Sequence, residues 1–324
     1  VGGCGFIGHN LSLYLKKIGH KPIIVDSLSI NNIYSIDNHE IKNQVLYKSI
    51  LENRVKLLKE NNIDLIIQDA RNYNLISSLH GTIKPDIIIH LAAVSHANRS
   101  NKDPHTTFDH SLRTLENTLD YAKSFKTHVI FMSSSMVYGN FESEEVNENS
   151  SVNPIEIYGT AKLAGEITTK GLGLFFKIPW TIIRPSAVFG PTDMNNRISQ
   201  IIIDRAINNE VINVHGKDER LDFTYVKNLA DGFIKTAIHE KGENEIFNIT
   251  NGKSHTILEF IHEVKKYIPD IKYEIQERDQ FRPKRGTLSN SKVQGLIGFE
   301  PSYSFEDAIK EYVEFKLNNK NNFS

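Results

Sequence analysis

Short apolar runs that end in polar residues recur through the first half of the chain. They are Ile23-Ile24-Val25-Asp26, Asp64-Leu65-Ile66-Ile67-Gln68-Asp69, Asp86-Ile87-Ile88-Ile89-His90-Leu91-Ala92-Ala93, His128-Val129-Ile130-Phe131-Met132-Ser133 and Trp180-Thr181-Ile182-Ile183-Arg184-Pro185. Runs that are continuous rather than alternating belong to strands covered on both faces, the signature of a parallel sheet. Stretches with helical spacing lie between them, at about 45–60, 105–125 and 158–176. This alternation predicts an α/β chain with a Rossmann-like, doubly wound parallel sheet. Beyond Gly190 the pieces shorten: Arg197–Asn208, Val226–His239, Ile257–Ile268 and Phe305–Leu317 read as helices, and Val211–Val214 and Ile246–Ile249 as strands. They predict a smaller C-terminal α/β substrate lobe closing over the strand ends. Residues 1–185 are thus expected to form one domain and residues 186–324 mainly a second, with some segments returning to the first. The polar tail Asn318–Ser324 is expected to fray.

The first ten residues, Val1-Gly2-Gly3-Cys4-Gly5-Phe6-Ile7-Gly8-His9-Asn10, place glycines at 2, 5 and 8 ahead of an amphipathic run through Leu11, Leu13, Tyr14 and Leu15. In a phosphate loop one glycine turns the chain out of a strand, a second lets the backbone approach a pyrophosphate and a third lets the following helix pack closely. The anion then rests on that helix's unpaired N–H groups. An ordinary glycine-rich turn fits three glycines as well. Asp26 weighs toward the ligand: it closes the next apolar run near the roughly 20-residue offset at which a carboxylate reaches an adenosine ribose. Such a loop needs a strand directly before it, so a chain starting at Val1 is expected to be a fragment with its first strand truncated.

The 324 residues can bury a sizeable core. A net charge of -1 creates no global field, which argues against nucleic acid or an anionic membrane as partner. Cys4 is the single cysteine; it excludes an internal disulfide framework and suits a reducing compartment. No stretch of about 18 apolar residues is present and no signal peptide precedes the loop, so a cytoplasmic protein is expected. His90, His96, His105 and His110 fall close together, but their spacing matches no zinc pattern and no cysteine or carboxylate cluster completes a ligand set, so no metal is expected.

Tyr158-Gly159-Thr160-Ala161-Lys162 sets a phenol and an ammonium four residues apart, on one helix face. An ammonium beside a phenol favours the phenolate and makes a proton-transfer group usable near neutral pH; a plain surface contact between the two is the alternative. Ser133-Ser134-Ser135-Met136-Val137-Tyr138-Gly139 puts hydroxyls at the carboxyl end of an inner strand, where one could meet a substrate oxygen, though serines also simply end strands.

Taken together, these motifs resemble the extended short-chain dehydrogenases/reductases, in the sugar-nucleotide epimerase/dehydratase group typified by UDP-glucose 4-epimerase. The likeness runs from Gly2 to about Leu317. It rests on the glycine loop, Asp26, Gln68-Asp69-Ala70, His90-Leu91-Ala92-Ala93, the serine run, Tyr158 with Lys162, Arg184-Pro185-Ser186-Ala187-Val188-Phe189-Gly190-Pro191 and Leu221-Asp222-Phe223-Thr224-Tyr225-Val226. The resemblance implies that Gly2, Gly5, Phe6, Ile7 and Gly8 hold a pyrophosphate and Asp26 the adenosine ribose. It implies that Asp69 and Ala70 meet the adenine, and that Leu91, Ala92, Ala93 and Ser133 line the dinucleotide. A carboxylate at Asp26 repels a 2′-phosphate, which favours NAD over NADP. Tyr158 would be the acid/base, Lys162 would bind the nicotinamide ribose and poise Tyr158, and Ser134 would be their hydroxyl partner. Pro185 and Ser186 would face nicotinamide and sugar, Ser135 the substrate, and Arg220, Arg282 and Arg285 the substrate diphosphate, with a solvated basic loop as the alternative for the arginines.

Departures from the family pattern narrow the reaction. Dehydratases of the group carry Asp-Glu before the Val-Tyr-Gly tripeptide, where this chain has Ser135-Met136. His110-Ser111-Leu112-Arg113-Thr114 replaces an Asn-Val-x-Gly-Thr run, and Ala187 stands where some relatives place an asparagine for the diphosphate. The expected activity is an NAD-dependent nucleotide-sugar epimerase that inverts C4 of a UDP-hexose, or its uronic acid or N-acetyl derivative, through a 4-keto intermediate. An NAD(P)H-dependent 4-keto-sugar reductase and a non-catalytic dinucleotide-binding protein are the alternatives. Relatives pair through helices equivalent to 105–125 and 158–176, so a homodimer is expected, with Leu112, Leu115, Leu119 and Ala122 as a stripe that would serve either the dimer or the sheet.

Overall fold

Each of the five apolar runs forms a strand in the computed structural model, which describes residues 1–30, 32–35, 44–95 and 97–319. In chain order the first half runs α1 (Phe6–Lys17), β1 (Ile23–Asp26), α2 (Gln44–Glu60), β2 (Asp64–Ile67), α3 (Tyr73–Ile83), β3 (Ile87–His90), α4 (Ala97–Lys102), α5 (Pro104–Phe108), α6 (Thr114–Phe125), β4 (His128–Met132), β5 (Glu145–Val146), α7 (Ile157–Phe176) and β6 (Trp180–Arg184). The second half runs α8 (Ile198–Ile207), β7 (Val211–His215), β8 (Arg220–Leu221), α9 (Val226–Ile238), β9 (Glu245–Asn248), β10 (His255–Thr256), α10 (Ile257–Lys265), β11 (Lys272–Gln276), β12 (Thr287–Leu288), α11 (Ser291–Ile297) and α12 (Phe305–Asn319). The pattern did not anticipate α3, α4, α11 or β11. The helix expected over 105–125 is interrupted by a π-helical turn at Asp109–Arg113.

Strands β3, β4, β6 and β9 pair in parallel in that order, and β1 pairs in parallel with β2. Val1 and Gly2 lie between the two groups: Gly2 N–H donates to Val25 O at 2.8 Å, and Leu91 N–H to Val1 O at 2.9 Å. Chain order therefore reverses between Gly2 and Leu91, the point at which doubly wound sheets bind ligands. Segments beyond residue 185 return to this half, since β9 extends the main sheet beside β6 and β12 pairs with β5. The smaller lobe adds the parallel pair β7 and β11 and the antiparallel pair β8 and β10.

The two faces of β4 explain its apolar run. Val129 and Phe131 pack with Leu115, Leu119 and Ala122 of α6, while Ile130 and Met132 join a cluster with Leu11, Leu229 and Phe233 of α1 and α9. Full burial of a leucine contributes about 2 kcal/mol, so Leu115, Leu119 and Ala122 are accounted for by covering the sheet and do not form the exposed dimer stripe. Apolar residues that do face outward on α7 are Ile167, Leu174 and Phe175. Helix α7 sits close to the sheet because a Cβ at Gly165 would come within 2.4 Å of the Phe131 ring. No helix among the described residues is long and apolar enough to cross a membrane.

Candidate active site

A cleft of about 590 Å³ opens at the carboxyl ends of β1, β3, β4 and β6. The glycine loop forms its floor. Gly2 adopts a φ of +76°, and a Cβ there would lie 2.6 Å from Ala92 N; a Cβ at Gly8 would lie 2.6 Å from Gly3 Cα. Close packing of strand, loop and helix thus requires both glycines. Gly5 caps α1 without a side-chain hydrogen bond, and a Cβ there would meet only Gly2 O, at 3.6 Å. The first N–H groups of α1 therefore face the cleft uncapped, at the positive end of a helix dipole, which is a donor set that fits a dinucleotide pyrophosphate.

Asp26 ends β1 with its carboxylate against the loop. Its oxygens accept hydrogen bonds from Cys4 N–H at 2.9 Å and Leu28 N–H at 2.8 Å, while burial raises its pKa. Asp69, beyond β2, is gripped by the Arg71 guanidinium, whose Nη2 lies 2.6 Å from Oδ2; Arg71 also reaches Asp109 at 2.7 Å. Burial opposes ionisation of Asp69, but the Arg71 hydrogen bonds hold its carboxyl below the usual range.

Tyr158 and Lys162 occupy the first turns of α7. A Cβ at Gly159 would come within 2.6 Å of Met136 O, so this glycine lets the helix start against the turn carrying Ser134 to Met136. Ser134 Oγ accepts from Met136 N–H at 3.2 Å. Lys162, 4 % exposed, donates from Nζ to Met132 O at 2.6 Å and stands 5.9 Å from the Tyr158 ring centroid. Burial lowers its pKa to about 8 against the pull of Glu166. Burial raises the pKa of Tyr158, opposed by Arg197 and by a hydrogen bond to Ser134. Arg197, before α8, is thus a further cation that favours the phenolate, one the sequence did not point to.

The glycine loop residues Gly2, Gly5, Phe6, Ile7 and Gly8 line the cleft together with Asp26, Asp69, Ala70, Leu91, Ala92, Ala93, Ser133, Ser134, Ser135, Tyr158, Lys162 and Pro185, and so do Arg220, Arg282 and Arg285. Ser186 does not. Ala187 takes a φ of +36°; it lines the cleft itself, while Ser186 is buried with its hydroxyl unpartnered. Arg54, Asn98, Glu156, Asn195, Arg197 and Arg278 also line the cleft and were missed. Single polar residues on separate loops and helices carry no periodic signal, and only the fold brings them together. Of the four histidines, His90 is buried and bonded to Thr118 Oγ1 at 3.1 Å, and His96 lies outside the described residues.

The family described as NAD dependent epimerase/dehydratase matches residues 1–250. Protein CapI of Staphylococcus aureus is 24% identical over 341 residues, covering 98% of this chain and 97% of that protein. A dTDP-D-glucose 4,6-dehydratase of Dictyostelium discoideum is 27% identical over 265 residues, covering 77% of this chain and 57% of that one. The solved UDP-glucuronic acid 4-epimerase of Bacillus cereus, in complex with UDP-glucuronic acid and NAD, superposes with a TM-score of 0.87 at 23% identity, covering 98% of each chain. With a reversed strand order, an uncapped glycine loop at the reversal point and a family match over most of its length, the chain belongs to the NAD-dependent epimerase/dehydratase family and is an enzyme with NAD as its cofactor.

Proposed function

We propose that this enzyme inverts C4 of a nucleotide sugar, a UDP-hexose or its uronic acid or N-acetyl derivative, by way of a transient 4-keto sugar. The observation that carries the reading is that Tyr158, Lys162 and Ser134 meet in one cleft with Ser135 and Met136 beside them, where a dehydratase needs carboxylates. Removing a C5 proton to eliminate water requires a base, and neither a thioether nor an ordinary hydroxyl serves as one near neutral pH. Inversion needs only a group that takes the C4 hydroxyl proton and gives it back.

In this reading the α1 N–H groups of Phe6 and Ile7 hold the pyrophosphate, with Gly2, Gly5 and Gly8 leaving it room. Asp26 receives the ribose, Asp69 and Ala70 the adenine, and Lys162 the nicotinamide ribose. NAD, when bound, supplies the acceptor and donor of the C4 hydride. Tyr158 Oη, as phenolate, takes the hydroxyl proton while the C4–H bond breaks and returns it when hydride arrives on the opposite face. Ser134 and Arg197 favour that ionised form against burial. Arg220, Arg282 and Arg285 supply cations for the diphosphate, since guanidinium forks suit phosphate oxygens. A homodimer through α6 and α7 belongs to the same reading, with exposed Ile167, Leu174 and Phe175 as the surface it would cover.

The test is to incubate the protein separately with UDP-glucose, UDP-N-acetylglucosamine and UDP-glucuronate and to separate the products. Inversion of at least one without net NADH consumption is expected. Absence of inversion with every nucleotide sugar overturns the reading, and stoichiometric NADH consumption on a 4-keto sugar replaces it with a reductase.

A further inference from the structure

One helical turn behind Lys162, a buried charge pair lies outside the cleft chemistry described so far. Tyr158, Lys162 and Glu166 follow one another at intervals of four on α7, hence on one face. Glu166 is 2 % exposed and Arg184 3 %. The Glu166 carboxylate accepts from Arg184 Nε at 2.9 Å and Nη2 at 2.7 Å, and also from Ser133 Oγ. Arg184 Nη1 donates to Tyr138 Oη at 3.0 Å, which in turn donates to Asn248 Oδ1 at 2.8 Å. One carboxylate thereby joins the middle of α7 to the ends of β4, β6 and β9.

Stability is a weak account of such a pair, because desolvating two charges offsets most of their attraction and an apolar pair of equal volume often does as well. Its placement suggests another role. Ser133, which Glu166 holds, directly follows Met132, whose carbonyl anchors Lys162 Nζ at 2.6 Å. The groups facing Lys162 are Tyr158 and Glu166 on α7, the Phe131 ring 5.1 Å away on β4, and buried His90 on β3, with Arg184 of β6 beyond Glu166. Glu166 is the one acid acting on that ammonium among the described residues.

We propose that Glu166 is a positioning residue of the catalytic centre: tied to Arg184 and Ser133, it fixes the β4 terminus that anchors Lys162 and sets a carboxylate one helical turn from the Lys162 ammonium. The proposal rests on the epimerase reading only in taking Tyr158 and Lys162 as the reacting pair. Removing the carboxylate takes away the one negative charge near a desolvated ammonium while Arg184 stays, so the lysine sheds its proton at lower pH and no longer serves a ribose hydroxyl as a cation.

Four proteins decide the matter: wild type, Glu166→Gln, Glu166→Asp and the double variant Glu166→Met/Arg184→Met, which removes both charges at similar volume. The Lys162 titration is followed by NMR of lysine labelled at Cε, assigned with Lys162→Met, and kcat against pH is measured on the inverted nucleotide sugar. The lysine titration and the alkaline limb of kcat are expected to move down by roughly one pH unit or more in Glu166→Gln, by less in the double variant, where loss of the more distant Arg184 offsets part of the loss of Glu166, and to be largely restored in Glu166→Asp. A double variant with wild-type Tm and an unmoved lysine titration overturns the proposal. The NMR readout does not require turnover, so an enzyme that inverts no sugar overturns the functional reading without deciding this one. If Glu166→Gln does not fold, the double variant alone decides.

Discussion

The carboxylate of Asp26 accepts a hydrogen bond from the backbone N–H of Cys4 at 2.9 Å, so the residue expected to greet the adenosine ribose also braces the phosphate loop. In Asp26→Asn an amide NH2 must face either Cys4 N–H or Leu28 N–H, donor against donor. Losing one buried acceptor costs about 1–3 kcal/mol. A lower Tm is therefore expected without any cofactor, in addition to weaker NAD binding by calorimetry. An unchanged Tm would leave Asp26 with the ribose contact alone.

Two glycines of the loop should respond differently to the same methyl group. Gly8→Ala drives a Cβ to 2.6 Å from Gly3 Cα, whereas Gly5→Ala, at an ordinary φ of -70°, meets only Gly2 O at 3.6 Å. Gly8→Ala is expected to lose both stability and NAD binding. Gly5→Ala should melt like wild type yet bind NAD at least about tenfold more weakly, because its methyl occupies the ligand's side of the loop. Equal NAD affinity in Gly5→Ala and wild type would move the pyrophosphate elsewhere.

Tyr158→Phe keeps the ring and removes the proposed proton carrier. Its kcat is expected to fall by about 10²–10⁴, with NAD affinity close to wild type. Burial lowers the pKa of Lys162 to about 8, so under the proposed role of its ammonium kcat should decline as pH rises through about 8. A flat rate from pH 7 to 10 would remove the lysine from the reaction.

Arg285 donates from Nη1 toward Met136 Sδ at 3.7 Å and has no oxygen acceptor among the hydrogen bonds of the described residues. Burial lowers its pKa to about 10. A desolvated guanidinium of this kind gains most from an anion on the substrate. Arg285→Ala is expected to raise KM for the nucleotide sugar about 10–100-fold with a smaller effect on kcat. Arg285→Lys should recover little, since a point charge lacks the fork. KM values unaffected by Arg285→Ala would assign this residue to the solvated basic loop.

Acid sensitivity follows from buried histidines. Burial lowers the pKa of His9 to about 3 and of His80 and His128 to about 4. Between the unfolded value and these folded values the unfolded chain binds more protons, so stability falls as pH drops below about 6.5, by about 2 kcal/mol per histidine on reaching pH 5. Asp222 works in the opposite sense. Burial raises its pKa to about 7, so the folded chain retains a proton that the unfolded chain releases near 4, and stability from this group is lost as pH rises toward 7. Denaturant titrations at pH 5, 6.5 and 8 should show Asp222→Asn gaining on wild type as pH rises. A constant difference across that range would mean that Asp222 is ionised throughout.

The chain's own pattern determined the parallel sheet, because strands covered on both faces must be apolar at every position and β3, β4 and β6 could be read directly as such runs. It also determined the loop glycines, Asp26 and the Tyr158 to Lys162 spacing, since a backbone needing room and a helix repeating every 3.6 residues leave local marks. Tertiary structure decided what depends on approach between distant segments. It turned Ser186 inward at the positive φ of Ala187, brought Arg197 from beyond the sheet into the cleft with Tyr158, placed the α6 leucines against the sheet and set Glu166 and Arg184 against each other behind the lysine. A single charged residue has no period, and its partner is chosen by which strand ends the fold carries to the same depth.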